Sequence, residues 1–290
     1  MMVHIIVDFQ HLYYKYKFSL EKRRLPRVIN SERDYSIIYY VIDELERIRQ
    51  DNAGALMSVC FESNSNYDKP SEYKKGRVNK LGEEDRADIE LIQRVLRDAG
   101  YNIYVKDGYE ADDLIGNLVR MYGERFDETL IYTPDADMLA YVNEKVRLMR
   151  HKIGLGYAAI GMHNFERYVS KEFKSCVPYN AVMLYKATVG DKSDNIKGIP
   201  MFGPKAFDKL VEYLNGVGVD WAAAASYCYT HTLLEVAREY LGDKGLAQAK
   251  KSLELVRLRE FEIEEPKIES SAEARINANR LHNMKIFKEQ

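Results

Sequence analysis

Within Tyr109-Glu110-Ala111-Asp112-Asp113-Leu114-Ile115, three carboxylates fall in four positions, directly before an apolar run that reads as a helix. Their mutual repulsion works against folding, so a cation is expected among them, and a divalent metal is the reading adopted. Other acids repeat the theme. Asp8 ends the apolar run Val3-His4-Ile5-Ile6-Val7, Glu62 follows Ala55 to Phe61, and Asp135 and Asp137 follow Thr129 to Thr133. Asp191 and Asp194 lie three apart in Gly190-Asp191-Lys192-Ser193-Asp194-Asn195. Hard oxygen ligands without His or Cys suit Mg²⁺ or Mn²⁺ and disfavour zinc. So many carboxylates exceed the needs of one Mg²⁺. Two ions about 3.5–4 Å apart would clamp the attacking and leaving oxygens of a phosphodiester, with no protein nucleophile required. Each acid has an ordinary alternative: a helix cap for Asp135, dipole-favoured charge for Glu110 to Asp113, a polar turn for Asp191 to Asn195. Their shared place at strand ends favours metal.

The elements that must position these acids follow from periodicity. Short β-branched runs at 3–7, 55–61, 102–105, 129–133 and 146–150 read as strands. Ile37, Ile38, Val41, Ile42, Leu45 and Ile48 mark a helix over 32–50, and Ile89 to Leu96 mark another over 88–98 with Gly100 as its stop. Strands alternating with helices predict an α/β fold with a mainly parallel sheet flanked by helices, whose ligands bind at the carboxyl ends of the strands. From 162 onward only helices are read, at 162–172, 178–189 and 203–214 and then to about 281. The expected division is an α/β domain over 1–175 and a helical domain over 176–290. Residues 63–86 are polar and too long for a simple connection.

Composition sets the outer bounds. Of 290 residues, 46% are hydrophobic and 30% charged, which excludes wholesale disorder. The net charge of −2 hides local contrast, because the window 15–27 holds Lys15, Lys17, Lys22, Arg23, Arg24 and Arg27 against Glu21 alone. Cys60, Cys176 and Cys228 form no CxxC pair, so reduced thiols are expected rather than zinc or disulfides. No apolar run reaches the ~20 residues of a membrane span, and an intracellular, cytoplasmic protein is expected.

One further stretch carries chemistry. Asp194-Asn195-Ile196-Lys197-Gly198-Ile199-Pro200-Met201-Phe202-Gly203-Pro204-Lys205-Ala206 reads as a Gly/Pro hairpin between helices. It would present backbone amides at a helix N-terminus, with Lys205 in the first turn, an arrangement that binds phosphate.

Taken in order, Glu110-Ala111-Asp112-Asp113, Thr133-Pro134-Asp135-Ala136-Asp137-Met138-Leu139, Gly190-Asp191-Lys192-Ser193-Asp194-Asn195-Ile196 and this hairpin resemble the 5′-nuclease or flap endonuclease superfamily, most closely its bacteriophage 5′–3′ exonucleases. The resemblance spans residues 3 to about 214. It implies that Asp8, Glu62, Glu110 and Asp112 surround one metal ion, that Asp135 lies close to both ions, and that Asp137, Asp191 and Asp194 surround the second, with Asp113 a further site acid. Tyr73-Lys74-Lys75-Gly76-Arg77 looks like the family's Tyr-Lys-x-x-Arg at the base of a helical arch, about residues 63–86. There Tyr73 would stack on a base, and Lys74 and Arg77 would neutralise charge developing on the scissile phosphate. A helix–hairpin–helix motif over about 190–214 would hold duplex DNA. Lys192, Lys197, Gly198, Gly203, Lys205 and Lys209 there, with Lys69 and Lys75 in the arch region, are the expected DNA contacts, and K⁺ is implied at the hairpin loop.

Two positions depart from the family: Glu62 stands where Asp is usual, and Met201 replaces the hairpin's middle Gly. If that position needs positive φ, Met201 is strained there. The implied function is a metal-dependent 5′–3′ exonuclease or flap endonuclease, a monomer acting on 5′ flaps, nicks or RNA primers in replication and repair. The partners are nicked or gapped DNA and RNA–DNA hybrid, in the host cytoplasm if phage-encoded. Competing readings are a PIN-like ribonuclease, which has no need of residues 190–206, and an inactive structure-specific DNA-binding protein, against which the intact acids speak.

Overall fold

The computed structural model describes residues 2–29, 33–63, 81–152, 155–221, 227–256 and 258–267. They fall in two compact units. One runs to Thr133 and takes up the chain again from Phe261; the other is Pro134–Glu260.

The first unit is built on four parallel strands. β1 (Val3–Asp8) pairs with β2 (Leu56–Cys60) on one side and β4 (Glu128–Tyr132) on the other, and β2 pairs with β3 (Asn102–Tyr104). All five residues of β2 and the last five of β1 are buried. That is why they read as continuous apolar runs: a parallel sheet is covered on both faces. Four helices connect or cover the strands: α1 (Phe9–Glu21), α2 (Ser36–Asp51), α3 (Glu83–Asp98) and α4 (Ala111–Tyr122). α1 buries Phe9, Leu12, Tyr13, Tyr16 and Leu20, one face at helical spacing.

Half of the basic window is spent inside this unit. Lys15 pairs with Glu44 at 3.0 Å, Lys17 with Asp85 at 2.6 Å and Arg27 with Asp34 at 2.6 Å. Lys22, Arg23 and Arg24 stay exposed. α3 starts five residues before its expected Asp88. Its first turn, Glu83-Glu84-Asp85, is wholly acidic and suits a helix N-terminus, and Asp85 accepts the Gly82 amide at 2.7 Å. Apolar periodicity cannot show such a turn, because it contains no apolar residue.

The second unit opens with a 3₁₀ helix (Ala136–Tyr141), then β5 (Val146–Lys152) and β6 (Gly156–Ile160), an antiparallel pair. β6 lies outside the expected strands; Gly156-Tyr-Ala-Ala-Ile160 has too little β-branched or alternating character to stand out. Helices follow: α5 (Phe165–Phe173), α6 (Val182–Val189), α7 (Pro204–Gly216), α8 (Tyr227–Val236) and α9 (Arg238–Val256), the last interrupted at Gly242. Between α6 and α7, β7 (Gly190–Asp191) and β8 (Ile196–Lys197) form a two-residue antiparallel ladder. No described helix is long and apolar enough to cross a membrane.

Residues 261–267 return to the first unit as an extended strap. Asn117 Oδ1 accepts the Phe261 amide at 3.0 Å, Tyr122 donates to the Ile263 carbonyl at 2.8 Å, and Tyr104 donates to the Glu264 carbonyl at 3.1 Å. Asn102 brackets Lys267, donating to its carbonyl at 3.1 Å and accepting its amide at 2.8 Å. Phe261 also packs on Tyr109, with ring centroids 4.5 Å apart. Hence the chain's late portion, read from sequence only as helical tail, supplies part of the α/β unit's surface. Asn102→Ala should cost about 1 kcal/mol in urea unfolding. It should speed hydrogen exchange at the Lys267 amide while the Phe261 amide, held by Asn117, stays protected; equal loss at both would show that the strap is held as one block.

Candidate metal centre

In the first unit, the acids fall at strand and helix ends. Asp8 ends β1 directly opposite Cys60, which ends β2. Asp8 is 9% exposed and caps α1 by accepting the His11 amide at 3.3 Å. Its other oxygen accepts the Thr133 hydroxyl at 2.8 Å, from the residue just after β4. Asp112 lies in the first turn of α4. Both carboxylates are felt by one thiol: burial pushes the Cys60 pKa well above its ordinary value, and the charges of Asp8 and Asp112 push it further. Glu110, at the N-cap of α4, is buried, and Glu62, two residues past β2, is half-buried. Asp113 is fully buried and accepts the Glu110 amide at 3.1 Å. One of its oxygens is thus engaged in holding the helix start.

The second unit holds a tighter group. Oxygens of Asp137, Asp191 and Asp194 all lie within 4.8 Å of one another, and among the described residues no other three His, Cys, Asp or Glu side chains meet so closely. Asp135, next to it in the chain, caps the 3₁₀ helix by accepting the Asp137 amide at 2.9 Å. Asp191 sits on β7, where its Oδ1 accepts the Ser193 amide at 2.8 Å and the Ser193 hydroxyl. Lys186, on the last turn of α6 and 5% exposed, donates to Asp137 and, at 2.6 Å, to Asp191. Burial alone would raise the Asp191 pKa, but Lys186 and the Ser193 hydrogen bonds outweigh it and hold the carboxyl below the usual range. Three carboxylates with only oxygen donors, one of them 8% exposed, fit a hard divalent cation.

Two participants escaped sequence reading. Thr133 looked like the end of a strand, and nothing in its type announces that it orients Asp8. Lys186 did carry a signal: it is the one charged residue in the otherwise uncharged Val182-Met-Leu-Tyr-Lys-Ala-Thr-Val189, five positions before Asp191. Tyr73, Lys74, Arg77, Lys69 and Lys75 lie outside the described residues.

The hairpin between α6 and α7 is set by close backbone approach. A Cβ on Gly198 would stand 2.3 Å from the Val189 carbonyl carbon and 2.4 Å from the Thr188 oxygen; one on Gly190, whose φ is +93°, would meet the Gly198 nitrogen at 2.5 Å. The Ile199 amide donates to the Thr188 carbonyl at 2.7 Å, and Gln248 and Ser252 of α9 both donate to the Lys197 carbonyl, at 2.7 and 2.6 Å. Met201 has φ +62° and its side chain is fully exposed, so the strain expected of a non-glycine residue there is present. α7 then begins at Pro204, with Gly203 as its N-cap. Lys192, Lys197, Lys205 and Lys209 are all exposed.

A parallel sheet with carboxylates at strand and helix ends, joined in one chain to a glycine hairpin and an acidic trio able to hold a divalent ion, defines an α/β protein of the nuclease-like kind. The chain belongs to the 5′–3′ exonuclease family: the family model described as 5′-3′ exonuclease, N-terminal resolvase-like domain, matches residues 3–175. Among curated relatives, it is 32% identical over 213 residues to a DNA polymerase I of Chloroflexus aurantiacus, covering 72% of this chain and 22% of that protein. It is 37% identical over 142 residues to a 5′-3′ exonuclease of Mycoplasma genitalium, covering 49% of this chain and 47% of that one. These matches therefore span less than half the length of either relative. Among solved structures, T5 5′-exonuclease with bound zinc ions covers 88% of this chain and 100% of its own, with 16% identity and a TM-score of 0.50. Human GEN1 with Holliday junction DNA covers 98% of this chain and 67% of its own, with 13% identity and a TM-score of 0.54. At such identities the likeness is one of fold, and it supports the mainly parallel sheet flanked by helices.

Two glycine substitutions separate backbone crowding from mere turn preference. Gly198→Ala should lose about 3 kcal/mol or more in urea unfolding, since its Cβ meets backbone that cannot rotate away. Gly203→Ala, with open space around the new methyl and only a poorer N-cap to bear, should lose under about 1 kcal/mol.

Proposed function

We propose that this chain is a metal-dependent 5′ nuclease that hydrolyses phosphodiesters near the 5′ ends of branched or nicked duplex DNA, leaving 5′-phosphate and 3′-hydroxyl products. The observation that carries this reading is the oxygen-only trio Asp137, Asp191 and Asp194, drawn together in a chain of the 5′–3′ exonuclease family. Two Mg²⁺ (or Mn²⁺) ions are proposed. Asp8, Glu62, Glu110 and Asp112 of the first unit hold one; Asp137, Asp191 and Asp194 of the second hold the other, with Asp135 beside them. Bound there, such ions supply hydroxide near neutral pH and stabilise charge on the phosphoryl and leaving oxygens.

The rest falls to the chain's own groups. Thr133 fixes the rotamer of Asp8 through its hydroxyl, and Asp113 keeps the start of α4 in place, so that Glu110 and Asp112 are offered from a rigid helix end. In the second unit, Ser193 fixes Asp191 from its outer oxygen. The start of α7, with exposed Lys205 and Lys209, suits a duplex phosphate, and the exposed Lys192 and Lys197 of the preceding hairpin add further positive charge. Tyr73, Lys74 and Arg77 are proposed to stack on a base and to neutralise the scissile phosphate. A monomer is proposed, with an RNA strand in an RNA–DNA hybrid as a further substrate.

Asp191→Asn and Asp137→Asn should each lower Mg²⁺-dependent cleavage of a 5′-labelled flap by about a thousandfold or more, the scale on which removal of a principal charge-stabilising group acts. Affinity for the same flap in chelator should change by less than about threefold, because phosphate contacts rest on other residues. Turnover retained by either variant in Mg²⁺ would overturn the metal assignment; binding lost with it would point to misfolding of the hairpin instead.

A further inference from the structure

We propose that Lys186 is a built-in counter-ion that holds the seat of the divalent ion at Asp137, Asp191 and Asp194, and that it must withdraw for that ion to bind. This rests on the metal reading of the trio given above. The geometry is specific. The ammonium donates at once to Asp137 Oδ1 and Asp191 Oδ2, two of the three acids whose oxygens stand within 4.8 Å of one another. It is carried on the last turn of α6 immediately ahead of β7, and at 5% exposure it has been taken out of water to reach them.

A buried ammonium is costly unless it is paired, and here two carboxylates supply the pairing. Conversely, two carboxylates within reach of one atom need a cation, and Lys186 provides it without any ion from solution. A hard divalent ion seated among these carboxylates would stand close to the ammonium, and like charges so close repel strongly in a partly buried site. The lysine and the ion therefore exclude one another, and the chain folds with two of the three carboxylates sharing one positive charge before metal arrives. The four-carbon stem gives a simple exit, because a rotamer change swings Nζ away while the stem stays packed in α6. Ion affinity at the trio is then set below what three carboxylates alone would give.

The test uses the full chain with Mn²⁺ as the probe. Calorimetric titration of Lys186→Met should show an ion bound at the trio about tenfold tighter or more than in the parent chain. The variant should melt lower than the parent in chelator, and this deficit should close in saturating Mn²⁺; a merely structural ion pair would leave the deficit unchanged. In the parent chain, which needs no variant to fold, acylation of Lys186 followed by mass spectrometry should rise several-fold in saturating Mg²⁺ relative to chelator. Unchanged labelling, or Mn²⁺ binding to Lys186→Met no tighter than to the parent, would overturn the exchange while leaving the nuclease reading intact. If Asp191→Asn binds Mn²⁺ with the parent's stoichiometry and affinity, the trio is not an ion site and both readings fall.

Discussion

Carboxylates withdrawn from water are the constraint on which this structure depends. Each needs a donor or a cation within reach, because an unpaired buried charge costs more than a domain can spare. The chain meets this need in different ways. Asp8 takes a hydroxyl from Thr133 and an amide from the first turn of α1; Asp113 takes the Glu110 amide; Asp137 and Asp191 share the ammonium of Lys186. Neutral donors such as the Thr133 hydroxyl orient a carboxylate without offsetting its charge. Lys186 does remove charge, and for that reason it stands in a different relation to any ion than the other donors do.

Sheet register sets where the carboxyl ends of the first unit's strands fall. Parallel strands deliver their carboxyl ends to one edge, and the pairing of Asp8 with Cys60 fixes where two of those ends stop. A slip of one residue would turn Asp8 to the opposite face, away from Thr133. The elevated Cys60 thiol is a by-product of this convergence: a neutral, buried group that reports Asp8 and Asp112 from beneath. α4 then contributes its acids from a helix N-terminus, where the dipole offsets part of their repulsion. Within its first turn Asp113 accepts the Glu110 amide and so holds the helix start.

Strands and core helices were legible because their signal is the signal of burial itself. Val3 to Val7, Leu56 to Cys60 and Thr129 to Tyr132 are mainly apolar, with only His4, Ser58 and Thr129 among them as small or neutral polar exceptions, as a doubly covered sheet requires. Much of what escaped was set by polar contacts that leave no periodic trace. The acidic first turn of α3 and the strap at 261–267 belong to this class, while β6 escaped because its residues carry little strand character. The strap is the clearest case: its bonds run to backbone atoms from Asn102, Tyr104, Asn117 and Tyr122, which no pattern in residues 261–267 foretells. For the candidate site, the acids were legible by type and place, and the trio at 137, 191 and 194 proved to be the closest group among the described residues. Lys186 was hidden by the opposite bias, since a charged residue inside an apolar helix is readily taken for a snorkelling surface lysine.

The same reasoning decides how much the hairpin suffers from Met201. A non-glycine residue in the left-handed region costs about 1–2 kcal/mol. Were that residue the hinge on which the hairpin closes, such a cost would loosen the whole turn. It is not the hinge. Closure is enforced at the base, where Gly190 and Gly198 approach so nearly that neither admits a Cβ, where Ile199 bonds Thr188, and where α9 clamps the Lys197 carbonyl with two side chains. Met201 sits beyond that base with its side chain in solvent, so its strain is confined to the tip, and no packing has to rearrange to accommodate it. The indispensable glycines are the ones whose space is filled by backbone, and the tip is where this chain can depart from the family's glycine while keeping the start of α7 in position.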